Sequence, residues 1–317
     1  MRKLLLAGAV ALGSMAMAAT SMAADWTPPG PIKMLIAFKA GGGTDTQARL
    51  IAEELEKRHG WKIQPEQLTG KGGAVLAAAM KDMPNDGSVI GIFVTETLGY
   101  NMIAGKKQAY TQEDFTPITT TASFQMGLVS LTSKGWKTMD DVVAAAKGGE
   151  TLRFGAMSPK LGDIAYLISK HYGFDWNIVS VKGGKGVMNG LNGGDLDIGF
   201  GAGVQSKAVK AGDMINIASA MTKRLSISPD APTLEELGVN LNADGYFMFA
   251  APAGLPDNAR DTIANAIAEI VEDESTKAHE ILTKGFGGVV VIKGDALDAV
   301  LAKDLEDSKA LLKAANE

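Results

Sequence analysis

A strand that ends in three glycines and passes straight into an amphipathic helix constrains this chain more than any other feature. Ile32-Lys33-Met34-Leu35-Ile36-Ala37-Phe38 is a short apolar run that reads as a buried strand. Lys39 and Ala40 lead into Gly41-Gly42-Gly43, then Thr44 and Asp45. Beyond them Ala48, Ile51, Ala52 and Leu55 fall at helical spacing, with Glu53, Glu54, Lys57 and Arg58 on the other face. Thr44 or Asp45 is expected to cap the helix and Gly60 to stop it. Glycine has no Cβ, so a ligand can approach the backbone closely. The first turn of a helix has unpaired N–H groups and a partial positive charge. Together they form an anion site that needs no basic side chain. No Gly-Lys-Ser/Thr follows, so the loop is not a Walker loop, and the spacing is not Gly-x-Gly-x-x-Gly. A tight strand-to-helix turn without a ligand explains the motif equally well.

The pattern then repeats. After a strand at 61–64, Thr69-Gly70-Lys71-Gly72-Gly73 opens a helix over 74–83. Val89–Val94 is a continuous apolar strand ending in Thr95-Glu96-Thr97. Strands and helices that alternate through short turns signal βαβ units and a parallel sheet. Ligands sit at the carboxyl ends of such strands, which selects the loops 39–45, 69–73 and 95–97. A second α/β unit begins near Ser123, with strands at 126–131, 152–156, 176–181 and 196–200. Its turns are 157–163, Lys182-Gly183-Gly184-Lys185-Gly186 and Gly201-Ala202-Gly203, and its helices are expected at 164–172 and 187–192. Runs at 214–220 and 246–251 add strands. A helix over 258–272 and one capped by Asp295 carry apolar stripes that read as core.

Export is written at the start. Arg2 and Lys3 precede an apolar run over 4–19, and Ser21-Met22-Ala23 places small residues for cleavage before Ala24. The run is too short for a membrane span, and no later stretch is long and apolar enough to be one. The chain has no cysteine, which excludes a lipoprotein anchor, disulfides and thiolate metal sites. A soluble, exported, periplasmic protein is expected. The net charge is −5, and removing residues 1–23 takes away two basic residues and no acid, leaving −7. That balance excludes a nucleic-acid binder but not an acidic ligand, because local amide dipoles decide that. The length exceeds one ordinary domain, so two lobes are expected.

No catalytic set emerges. His59, His171 and His279 all lie outside the glycine loops. There is no Gly-x-Ser-x-Gly and no His-Glu-x-x-His. Asp45 reads either as a helix cap or as a reader of a ligand donor. Lys39, Lys71 and Glu96 are either solvated or in ligand contact.

The ordered motifs resemble one family. They are Pro31-Ile32 with Phe38-Lys39-Ala40-Gly41-Gly42-Gly43-Thr44-Asp45, then Gly72-Gly73, Asp86-Gly87 and Asp114-Phe115-Thr116-Pro117-Ile118. Val181-Lys182-Gly183, Gly193-Gly194-Asp195-Leu196-Asp197, Lys210-Ala211-Gly212, Pro232-Thr233 with Glu236-Leu237-Gly238, and Ala251-Pro252-Ala253-Gly254-Leu255-Pro256 complete them. In this order they resemble the Bug-type periplasmic solute-binding receptors of tripartite tricarboxylate transporters. The resemblance implies an α/β, two-lobed periplasmic binding protein. Each lobe would be a mostly parallel sheet flanked by helices, with the ligand cleft between lobes. It implies a first lobe from residues 24–122 with 226–317 and a second from 123–225. It also implies a small organic carboxylate as ligand, membrane permease subunits as partners, a monomer, and no cofactor, metal or nucleic acid. Carried onto these positions, the ligand residues are Ala40, Gly41, Gly42, Gly43, Thr44 and Asp45 in the first lobe and Ala156, Met157 and Ser158 in the second, with Gly183 and Gly201 bordering the cleft. The strand-end topology adds Lys39, Gly72, Gly73 and Thr95. Two departures stand out. Lys39-Ala40 replaces the usual proline, and Met157, Pro159 and Asp163 occupy the usually small, hydroxyl-bearing second-lobe loop. Met157 points to a bulkier or less charged carboxylate. The alternatives are a sensing subunit for a membrane histidine kinase and a secreted α/β hydrolase.

Overall fold

Two five-stranded sheets are built on one plan. The computed structural model describes residues 26–105 and 107–317, so the export signal read at 1–23 lies outside the described residues. The chain begins with β1 (Ile32–Ile36), α1 (Gly43–His59), β2 (Ile63–Gln67), α2 (Ala74–Met80), β3 (Val89–Val94), α3 (Thr95–Leu98), α4 (Tyr100–Ile103) and β4 (Phe115–Ser123). It crosses at Phe124 and Gln125 into β5 (Met126–Leu131), α5 (Met139–Lys147), β6 (Arg153–Ala156), α6 (Pro159–Tyr172), β7 (Asn177–Ser180), α7 (Gly183–Gly193), β8 (Ile198–Ala202), α8 (Ser206–Ala211) and β9 (Met214–Ser219). It returns as β10 (Tyr246–Pro252), α9 (Asp257–Glu272), α10 (Lys277–Phe286) and α11 (Asp295–Asn316).

The strand orders are β2-β1-β3-β10-β4 and β7-β6-β8-β5-β9. In each sheet the three strands at one end are parallel. The expectation of parallel sheets holds there. The remaining pairings are antiparallel, because β10 and β5 enter after a crossing rather than through a helix. Every residue of β3 is buried, which is why it reads as an unbroken apolar run rather than an alternation. Ile263, Ile267, Ile270 and Val271 of α9 are fully buried, as the stripe predicted.

Three helices start earlier than the sequence suggested. Gly42, not Thr44 or Asp45, is the N-cap of α1. Pro159 is the first residue of α6 and Ser158 its cap, so the loop read at 157–163 is mostly helix. The glycines at 183–186 form the first turn of α7 rather than a turn before it. They are tolerated inside a helix because α7 lies very close to its neighbours. A Cβ on Gly184 would sit 2.8 Å from Val204 Cγ2, and one on Gly190 2.6 Å from Leu196 Cδ1. The strand β4 escaped notice because Phe115–Ser123 is rich in threonine and contains Pro117. Asp197, from the family motif, joins three segments. It accepts from Lys134 Nζ at 2.6 Å and from Arg153 N and Nε, both at 2.9 Å. Burial alone would raise its carboxyl, but these bonds outweigh burial and hold it well below the usual range.

Charged side chains are buried where the two halves meet. Lys160 of α6 is 5% exposed. Its Nζ lies 3.5 Å from Asp304 Oδ1 on α11 and 3.3 Å from Asp244 O. Glu96 of α3 is also buried and near it. Burial pushes the Glu96 and Asp304 carboxyls up, and the Lys160 charge pulls both back down. Tyr100 of α4 donates to Asp163 of α6 at 2.5 Å. Removing one partner of a buried pair strands the other charge, typically at about 3–5 kcal/mol. Lys160→Met is therefore expected to lose about that much stability in urea unfolding at pH 7. Folded-state carboxyls raised above their unfolded values favour the fold as pH falls through the raised range. The deficit of the variant must then shrink between pH 7 and pH 5, and an equal deficit at both would mean Lys160 acts by packing alone.

Candidate functional site

The loop after β1 is held by a carboxylate that the sequence assigned to either a cap or a ligand. Asp45 stands third in α1 and reaches back to accept the Gly41 N–H at 2.9 Å. Its other oxygen accepts from Arg49 Nε at 2.9 Å and Gln67 Nε2 at 3.1 Å. Gln67 also donates to Phe38 O at 3.2 Å, fastening the loop to β2. Asp45 is 4% exposed. It is a structural brace whose acceptors are already used, not a free reader of ligand. The Gly42 N–H donates to Lys39 O. The N–H groups of Gly43, Thr44 and Asp45 have no acceptor among the described residues. The loop must be glycine at Gly43, where a Cβ would sit 2.4 Å from Phe286 Cζ.

A second helix start faces the first from the other sheet. Lys182 caps α7, and the N–H groups of Gly183, Gly184 and Lys185 likewise have no acceptor among the described residues. Gly183 has φ +70, and a Cβ there would lie 3.5 Å from Phe38 Cδ1. Nearby, the Ser158 hydroxyl accepts the Leu161 N–H at 3.3 Å at the start of α6. The lobes touch at this point: a Cβ on Gly72 would sit 2.9 Å from Ser158 Cβ.

Between them runs a cleft in two compartments. The inner one has about 40 Å³ of open space, with Gly42, Gly43, Thr44, Gly183 and Gly184 on its polar sides. Its other walls are apolar: Phe124, Met126, Met157, Leu161, Phe247 and Phe286. Phe247 meets Phe124 and Phe286 edge to face, at 5.2 Å and 4.9 Å. Glu96 is the one acid among the inner lining residues. Its carboxyl, raised by burial, accepts from Asn101 Nδ2 at 3.3 Å. The inner space holds only about three waters, so a solute enters by separation of the walls. The outer compartment, about 620 Å³, is lined by Lys39, Lys71, Gly72, Ser158, Tyr166 and Lys182 among others. Phe38, Lys39, Met157, Lys182 and Gly183 line both.

The residues selected from sequence divide accordingly. Lys39, Gly42, Gly43, Thr44 and Gly72 line the cleft from one side, and Ala156, Met157, Ser158 and Gly183 from the other. Six do not line it. Ala40 and Gly41 are exposed, and Asp45 is engaged as described. Gly73 packs on Thr97, and Gly201 packs on Gln205, where a Cβ would meet each side chain at 2.5 Å. The loop 95–97 is helix α3, and the buried Thr95 hydroxyl accepts the Tyr246 N–H at 3.2 Å. Phe124, Leu161, Phe247 and Phe286 were missed as wall residues, because an aromatic or leucine in an apolar run carries no mark separating wall from core. The three histidines stay away from both compartments. His59 lies against Trp61, His171 against Tyr172, and His279 Nδ1 is 2.9 Å from Val271 O. Among the described residues no group of three or more His, Asp or Glu side chains is placed to hold a metal ion.

Comparison with known proteins places the chain in a family and a fold. A family profile described as tripartite tricarboxylate transporter family receptor matches residues 47–316. A Cupriavidus necator protein, described as a UPF0065 protein in the gbd 5' region, is 28% identical over 260 residues, covering 78% of this chain and 76% of that one. The periplasmic binding protein BugD superposes with a TM-score of 0.81 at 21% identity, over 92% of this chain and 99% of that one. An R. palustris protein solved with adipate gives 0.80 at 21%, over 91% and 98%. The two structures share the fold with this chain.

The bracing role of Asp45 has a direct test. Asp45→Ala removes three hydrogen bonds and should destabilise the protein by about 1–3 kcal/mol, with faster amide exchange at Gly41. Asp45→Asn retains an acceptor for that N–H and should lose less. Equal losses in both variants would mean that charge pairing with Arg49, not the Gly41 bond, holds the loop.

Proposed function

The chain belongs to the tripartite tricarboxylate transporter receptor family, and from that premise we propose that it is a periplasmic receptor. It takes a small organic carboxylate between its lobes and delivers it to membrane permease subunits, binding without turnover. The observation that carries this reading is the pair of opposed helix starts. The start of α1 in one lobe and of α7 in the other bring unpaired N–H groups to the same inner compartment. An anion between them satisfies donors that neither helix can satisfy alone. Lys39, Lys182 and Lys185 stand beside the same compartment and add positive charge.

The walls refine the ligand. Phe124, Met126, Met157, Leu161, Phe247 and Phe286 offer carbon rather than hydrogen-bonding groups. We therefore read the ligand as a carboxylate with an apolar body, rather than one dense in hydroxyls. The adipate seen in the R. palustris relative has such a body between its carboxylates. The lobes in this reading are 24–122 with 226–317, and 123–225, and they close on the ligand as a monomer. Among the described residues no helix is long and apolar enough to cross a membrane.

Thermal unfolding against a panel of aliphatic, aromatic and hydroxylated carboxylates, amino acids and neutral sugars tests this. A ligand present at about 100 times its dissociation constant adds ~2.7 kcal/mol, several degrees for a chain of this size. The expected result is a shift with apolar-bodied carboxylates, abolished by Gly42→Asp, which sets a fixed negative charge in the loop. A shift confined to neutral sugars overturns the anion site. A shift confined to hydroxyl-rich acids overturns the apolar-body reading.

A further inference from the structure

A second concavity lies behind the first glycine loop, on the side away from the outer cleft compartment. It is a groove of about 710 Å³ that runs between the lobes. Its floor is apolar, made by Leu50, Met188, Val204, Ile281 and Phe286. Its rim is basic. Lys185, Lys207 and Lys210 come from α7 and α8, and Lys277 and Lys284 from α10. All five are exposed. Glu280 accepts from Lys284 at 2.5 Å and also feels the Lys277 charge, while among the described residues Lys185, Lys207 and Lys210 have no carboxylate partner. Among the described residues Glu280 is the only acid lining the groove, so that lining carries a formal +4 on a chain whose total is −5. Lysines that cluster without counter-charges on an acidic protein mark a surface kept for something negative.

We infer that this groove is a docking surface for an acidic, leucine-bearing segment of a partner protein. This goes beyond the carboxylate reading and does not depend on it. The shape favours a protein segment over a membrane surface. The apolar floor is recessed below the lysines, so a flat bilayer would meet the rim and leave the floor empty. A chain segment places acids on the rim and apolar side chains in the floor together. The groove also spans both lobes. Ser206 Oγ of α8 donates to Gly285 O at 3.0 Å, and Lys210 Nζ to Lys284 O at 3.5 Å. The rim is therefore complete only at this angle between the lobes, and a partner that needs all of it selects this arrangement. Phe286 is common to the groove floor and the inner ligand compartment, so one ring is shared by the two surfaces.

The test uses the full mature protein and a dye-labelled peptide of alternating glutamate and leucine, read by fluorescence anisotropy. The intact protein should bind it in dilute salt. Lys207→Glu with Lys277→Glu should weaken binding by about tenfold or more, while leaving the melting temperature and any carboxylate-induced shift unchanged. Neither lysine lines the ligand cleft. Lys207→Gln with Lys277→Gln, which removes charge without reversing it, should weaken binding by an intermediate factor. Lys33→Glu with Lys62→Glu, far from the groove, should not weaken it. No binding by the intact protein, or equal loss in the distant variant, overturns the proposal. So does displacement of the peptide by inorganic phosphate, which would make the groove a small-anion site. Preferential capture on vesicles of anionic phospholipid, abolished by the same groove variant, would assign it to head groups instead. Failure of the carboxylate panel with retained peptide binding would sink only the receptor reading.

Discussion

A helix cannot pair its own first N–H groups, and the cleft of this protein is arranged around that constraint. Two helices begin at the same small space from opposite lobes. Side-chain caps would have consumed the donors. Instead Gly42 caps α1 without a side-chain bond, and Lys182 caps α7 in the same way. Asp45, the residue best placed to cap, turns back to the Gly41 N–H and leaves the amides of Gly43, Thr44 and Asp45 uncovered. Gly43 and Gly203 are fixed by the same ring. A Cβ on either would meet Phe286 at 2.4 Å. Gly43 thus both exposes an amide and admits the aromatic wall.

The strands, the glycine loops and the apolar stripes were legible in the sequence because each depends on short-range pattern. Gly60 ends α1 in a left-handed conformation and bonds Glu56 O, as a stop signal at that position implies. What failed to show depends on neighbours far along the chain. Gly183 and Gly184 look like a turn until Phe38 is seen beside the first and Val204 against the second. Thr95 looks like a ligand group until Tyr246 is placed beside it. Phe286 sits in Lys284-Gly285-Phe286-Gly287, where nothing local distinguishes it. Its role arises only because α10 carries it between two glycines that are 160 residues apart in sequence. The backbone side of the cleft could be read from residues, but of its apolar side only Met157 could.

The contact between the lobes has two characters. On the α6 side it is made of buried charge, with Lys160 between carboxylates from α3 and α11. On the α8 side it is made of uncharged groups, with Ser206 bonded to the Gly285 carbonyl and Gly203 against the Phe286 ring. A buried ion pair is geometrically demanding and tolerates little displacement. A contact of uncharged groups shifts more readily. Relative motion of the lobes is accordingly expected to pivot near α6 and to be largest near α8 and α10.

The placement of β10 also sets an order in time. It lies between β3 and β4 yet follows every strand of the second sheet in the chain. The second sheet can be completed from one continuous stretch. The first sheet waits with β3, apolar on both faces, as a bare edge. Such an edge is a template for pairing with another chain, and its lifetime is set by how long the rest takes to arrive. The yield of native protein is then governed less by final stability than by what shields that edge until β10 is in place.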